Sequence, residues 1–141
     1  MTNTEFLAPV LALVLWTLVM WFWMYATRIP AMVKAEIEPN SARHPGTYSD
    51  KIPSNVRAIA DNYNHLHEQP TIFYALMAFA ALSGGASATL LYLAWGYVGV
   101  RVLHSLVQSL SPVVMLRFSV FALGTFVLVA MAVLEAMRVF L

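Results

Sequence analysis

Arg57, Asp61, Asn64 and Glu68 follow one another at steps of four, three and four residues. At about 100° per residue they fall within about a 60° arc of a single helix. Tyr97, Arg101, His104, Ser105 and Gln108 share a second helical face at three- and four-residue spacing, and Arg117 follows. Arginine keeps its proton, and its planar fork grips carboxylates, so two such stripes suit an anionic or carboxylate-bearing ligand. The chain has no cysteine, which excludes disulfides, Cys-ligated metals and a thiol nucleophile of its own. Sulfur chemistry here needs a thiol carried in by a ligand. No metal site is expected: His65 and His67 diverge by about 160° on a helix, and no HExxH pattern occurs. Ser105 or Ser109 with His104 and Asp61 makes a poor catalytic triad, because helical neighbours are badly placed for it.

The elements that carry these stripes are membrane helices. Of 141 residues 60% are hydrophobic and only 11% charged, with a net charge of +1. A soluble domain averages about 25% charged residues, and this chain cannot cover itself with a charged surface. The same balance speaks against disorder and against a nucleic-acid partner. Phe6 to Thr27 is charge-free and reaches about 33 Å as a helix, enough for a hydrocarbon core of about 30 Å. Glu5 and the lack of an N-terminal Lys or Arg set it apart from a secretory signal. Trp21, Trp23 and Tyr25 crowd its end as interfacial aromatics do.

The run from Gln69 to Val100 is too long for one span, and Ser83-Gly84-Gly85-Ala86-Ser87 divides it with a turn and a helix cap. Four helices are therefore expected, over about 6–27, 55–83, 87–109 and 113–140, forming an all-α four-helix transmembrane bundle and a single domain. Residues of about 30–54 form the one long polar connection, broken by Pro30, Pro39, Pro45 and Pro53. Its Lys34, Arg43 and Lys51, flanked by Arg28 and Arg57, place it in the cytoplasm and both termini on the opposite side, with Arg138 the one exception. Pro70 removes a hydrogen bond to the Leu66 carbonyl and favours a kink in the second helix. The second and third helices run in opposite directions, so Glu68 and Arg101 are expected to pair at similar depth. That pair has a purely structural reading as well as a functional one. Likewise, Arg57 and Asp61 can be headgroup residues, His104 a polar core residue and Arg117 an interfacial positive charge.

The segment Arg57…Asn64…Glu68-Gln69-Pro70-Thr71-Ile72-Phe73-Tyr74, the segment Arg101-Val102-Leu103-His104-Ser105, and Arg117 together resemble the MAPEG family. These are membrane-associated proteins in eicosanoid and glutathione metabolism, and the likeness extends over the whole chain. The resemblance implies a homotrimer of four-helix protomers, with glutathione as co-substrate between neighbouring subunits near the cytoplasmic side. It implies that Arg57, Asn64 and Glu68 hold the peptide part of glutathione and that Arg117 stabilises its thiolate. Arg101, His104 and Gln108 complete the expected binding set. Two positions depart from the pattern. The family places Asn three residues before Glu, whereas here His65 stands there and Asn64 is one further back; either can fill the part. Where the eicosanoid enzymes carry a tyrosine one turn beyond the helix-three His, this chain has Gln108, which hydrogen-bonds but offers no phenol. The pattern is closer to the bacterial branch, which implies an inner-membrane, multi-pass protein.

The physical logic is independent of the family. A thiol with a pKa of about 8.5 is mostly protonated at neutral pH, and an adjacent guanidinium favours the thiolate. The leading expectation is a glutathione-dependent transferase or peroxidase acting on a lipophilic small molecule that arrives through membrane lipid. The alternative is a binding or scaffold protein of the same fold without catalysis. A small multidrug transporter fits less well, because such proteins carry an essential carboxylate in the first helix and lack the long connection.

Overall fold

The computed structural model describes residues 1–141, the side chain of Pro45 excepted. Five α-helices make up the fold: α1 Asn3–Lys34, α2 Ser54–His65, α3 Gln69–Leu82, α4 Ala88–Leu110 and α5 Val114–Phe140. Three of them, α1, α4 and α5, are long and apolar enough to cross a membrane.

Helix α1 starts with a reciprocal cap: Glu5 N–H donates to Thr2 Oγ1 at 3.2 Å, and Thr2 N–H donates to Glu5 Oε2 at 2.7 Å. It does not stop at the expected Thr27 but runs on through Pro30 to Lys34. A proline inside a helix removes one donor, yet apolar packing here outweighs that loss. Ala31 and Met32 of the extension pack on a small cluster of Tyr48, Ile52 and Val56. Arg28 donates to the Tyr48 hydroxyl at 2.7 Å on the same side. The polar connection is accordingly shorter than expected, and three short 3-10 turns at Ser41–Arg43, Pro45–Thr47 and Ser49–Lys51 shape it.

The expected second helix over 55–83 is interrupted. It consists of α2 and α3, separated at Leu66–Glu68, where Glu68 adopts φ −94°, ψ −94°. Helix α3 ends at the glycine pair: Gly84 takes φ +74°, and Gly85 N–H reaches the Ala80 carbonyl at 2.8 Å, closing the helix end in a left-handed turn. Ser87 then caps α4 by accepting from Leu90 N–H at 3.2 Å.

The main core collects Phe6, Leu13, Met20 and Met24 of α1, Phe73 and Met77 of α3, Ala94 and Tyr97 of α4, and Leu128 and Met131 of α5. The Phe73 and Tyr97 rings stack with centroids 4.7 Å apart. Large apolar side chains such as Phe22, Tyr92, Leu116 and Phe126 point outward, as expected for faces that meet lipid or other subunits rather than water.

Candidate functional site

The interruption between α2 and α3 organises the polar interior. Pro70 has no N–H for the Leu66 carbonyl and its ring crowds that carbonyl, and here, unlike at Pro30, the helix breaks. Tight turns replace it, with His67 N–H donating to Asn64 O at 2.9 Å and Thr71 N–H to Glu68 O at 3.2 Å. The carbonyls at the end of α2 then need other donors. Arg101, fully buried on α4, supplies one: its Nη2 donates to the His65 carbonyl at 3.1 Å. A cation at a helix C-terminus also meets the negative end of the helix dipole.

Gln69 ties the break to the other helices. Its Nε2 donates to Thr125 Oγ1 of α5 at 2.8 Å, and its Oε1 accepts from the Tyr97 hydroxyl of α4 at 3.2 Å. Sequence reasoning did not single out Gln69 or Thr125. The available signal was a fork-shaped amide immediately before Pro70, where a broken helix leaves polar groups in need of partners. Gly124 lets α5 lie close at this level, since a Cβ there would sit 3.3 Å from Val100 Cγ1.

In front of this hub lies a polar cavity of about 380 Å³, lined by Asp61, Asn64, His65, Glu68, Gln108 and Arg117. It brings together Asn64, His65, Glu68, Gln108 and Arg117 from the expected binding set, with Asp61 of the first expected stripe. Its size falls within the range of about 300–1,000 Å³ usual for small-molecule sites. The opposite charges of Arg117 on one side and Asp61 and Glu68 on the other suit a ligand that carries both signs.

His104 stands behind the wall, its ring 5.2 Å from that of His65 and 6.0 Å from that of Phe121. Arg57 is not in this cavity. It lines a neighbouring one of about 140 Å³ with Arg28, Tyr48 and Ser49, and the two cavities share Asp61 and Asn64. His65 and His67 face different surroundings, His67 lying in an apolar groove with Val14, Leu18 and Tyr74.

One expected pair is replaced. Glu68 does not meet Arg101; its Oε2 lies 2.5 Å from His65 Nδ1, and its side chain is 65% exposed. The 60° arc assumed an unbroken helix, but α2 ends at His65, so Glu68 belongs to the turn and leaves the stripe. Arg101 takes the backbone carbonyl instead. Its Nε and Nη1, both amide atoms of Asn62, His104 Nδ1 and Gln108 Oε1 are buried without a partner among the described residues. Buried polar atoms left unpaired cost about 1–3 kcal/mol each, so this end of the bundle is suited to small enclosed polar guests such as water.

Among the described residues no group of three His, Asp or Glu side chains is close enough to hold a metal ion. No curated protein and no solved structure matches the chain. A family model does: the one described as the MAPEG family matches residues 6–137, nearly the whole length, with the helix break and every residue of the polar cavity inside the match. The chain belongs to the MAPEG family.

Proposed function

We propose that the protein is a glutathione-dependent membrane transferase or peroxidase that conjugates or reduces lipophilic electrophiles. The observation that carries this reading is the shared cavity in which Arg117 faces Asp61, Glu68, Asn64, His65 and Gln108. Glutathione has two carboxylates, one ammonium group and one thiol. Asp61 and Glu68 suit the ammonium group, the amides of Asn64 and Gln108 suit its peptide bonds, and Arg117 suits the thiolate. The main cavity is lined by a single arginine, so two carboxylates call for more cation. Arg57 and Arg28 offer it in the adjoining cavity, across the common wall of Asp61 and Asn64. A thiolate held by Arg117 then attacks an electrophile delivered through the bilayer, where the apolar outer faces of the helices are open to it.

In this reading α2 and α3 together make the fourth crossing, since α3 alone reaches only about 21 Å. The connection between α1 and α2 lies in the cytoplasm, both termini lie on the other side of a bacterial inner membrane, and three protomers assemble.

A second reading, a binding protein of the same fold without turnover, is favoured by Gln108, which brings an amide and no phenol to the cavity. Calorimetry on the detergent-purified protein separates these readings. Heat of glutathione binding together with turnover of a lipophilic electrophile supports the enzyme, and heat without turnover supports the binding protein. No binding at millimolar glutathione refutes the enzyme and leaves a binding or scaffold protein that does not use glutathione.

A further inference from the structure

Arg117 cannot finish the chemistry alone. A guanidinium stabilises a thiolate but, being always protonated, cannot take the proton that the thiol gives up. That proton needs an acceptor in the same cavity, and the described lining residues with a basic atom are Asp61, Glu68 and His65. Carboxylates, with ordinary pKa values of about 4, are poorly matched to a thiol of about 8.5. An imidazole, at about 6.5, is the best matched group at neutral pH.

The geometry favours His65 for three reasons. Its Nδ1 lies 2.5 Å from Glu68 Oε2. A carboxylate only accepts, so Nδ1 carries the hydrogen and Nε2 keeps a free lone pair. Among the described residues Nε2 has no hydrogen-bond partner, yet it is not fully enclosed, so it is reachable on a side chain that lines the cavity and is 26% exposed. Finally, the residue is fixed from behind: Arg101 holds its carbonyl at 3.1 Å, and its ring packs 5.2 Å from both His104 and Phe121.

We propose that His65 is the general base of this site and that Glu68 is its positioning residue, fixing the tautomer and the ring. The proposal rests on the cavity being a thiol site. In the step, the S–H bond of the thiol breaks, its proton goes to His65 Nε2, and the electron pair stays on sulfur beside Arg117. The sulfur then forms a bond to the electrophilic carbon, and the leaving group departs with its bonding pair. The imidazolium afterwards gives its proton to water. His104 is not this base: it stands outside the cavity lining and backs His65.

The test uses full-length protein in detergent, with glutathione and 1-chloro-2,4-dinitrobenzene as probes. The groups that face His65 and shape its titration are Glu68 and Asp61, Arg101 and His104 on α4, and Arg117 on α5. In the wild type kcat/KM should rise with pH through an inflection as the base gives up its proton. His65→Ala should still bind glutathione by calorimetry, lose about 100-fold in kcat at neutral pH, and lose the inflection. Free imidazole added to the buffer should restore part of the rate. His65→Ala with unchanged kcat and an unchanged inflection overturns the proposal, whereas failure of the wild type to bind glutathione overturns the thiol-site reading beneath it. Should His65→Ala not fold, Glu68→Gln decides. Its amide oxygen still accepts from Nδ1–H, but loss of the charge should move the inflection to lower pH, because a carboxylate favours the imidazolium. An unmoved inflection in Glu68→Gln overturns the proposal.

Discussion

Two arginines do the same job at two places in the molecule and end in opposite states. Arg101 of α4 caps the last carbonyl of α2, and Arg138 of α5 caps the end of α3 by donating to the Ser83 carbonyl at 3.2 Å. Arg138 is fully engaged. It also donates to Ser83 Oγ at 2.5 Å and to both oxygens of buried Glu135, at 2.8 Å through Nη2. Gly85 leaves just enough room, since a Cβ there would fall 2.5 Å from Glu135 Oε2 and 2.8 Å from Arg138 Nη2. Arg101 has one partner and two idle nitrogens, among other buried polar atoms equally unpaired. A closed set of charges holds helices together and has nothing left for a ligand. The set at Arg101 stays incomplete, with its spare donors enclosed behind the cavity wall. The charge of Arg138 is taken up locally by Glu135.

Substitutions at the two ends should therefore separate stability from binding. The largest effect is expected at Arg101→Met, which leaves the His65 carbonyl bare and loosens the wall of the cavity. Thermal or denaturant unfolding in detergent should show a loss of about 2 kcal/mol, and calorimetry should show no glutathione binding. Retained binding would place Arg101 with Arg138 as a purely structural cap. Next comes Gly85→Ala, which must displace the Glu135–Arg138 pair. Overpacking of this kind costs about 1.5 kcal/mol, with glutathione affinity unaltered; a change in affinity would mean that the two ends are coupled. The double variant gives the same answer independently, because effects at separated sites add to within about 0.5 kcal/mol.

A smaller loss, about 1 kcal/mol, is expected for Gln69→Ala, which removes the bonds to Thr125 and Tyr97. Asp50→Asn should do least. Its partner Arg57 is 3.9 Å away and Asp50 is 99% exposed, so unfolding should shift by no more than about 0.5 kcal/mol.

The helices were largely legible in the sequence because charge-free runs, glycine turns and caps act locally. The Gly84-Gly85 turn and the Ser87 cap can be read from neighbouring residues alone. What local patterns missed depends on distant contacts. Pro30 looks like a helix breaker until Tyr48, Ile52 and Val56 arrive from across the connection to hold α1 straight through it. Pro70 announced a kink, but not that Arg101 would cap the broken end or that Gln69 would bridge three helices. Periodicity placed Glu68 on the stripe of Arg57 and Asp61, and the break moved it onto His65. Arg57 kept its helical face, yet the start of α2 turns toward Arg28 and Tyr48 and faces a cavity of its own. The Glu135–Arg138 clamp escaped notice because one turn of charge near a chain end looks like ordinary solvation.

The central claim is that Arg117 holds a glutathione thiolate. Titration of the ultraviolet thiolate band of glutathione bound to wild type, beside Arg117→Ala, tests it most directly. Thiolate is expected in the wild type well below the free thiol's pKa of about 8.5, and is expected to be lost in Arg117→Ala. An undiminished thiolate signal in Arg117→Ala would contradict it.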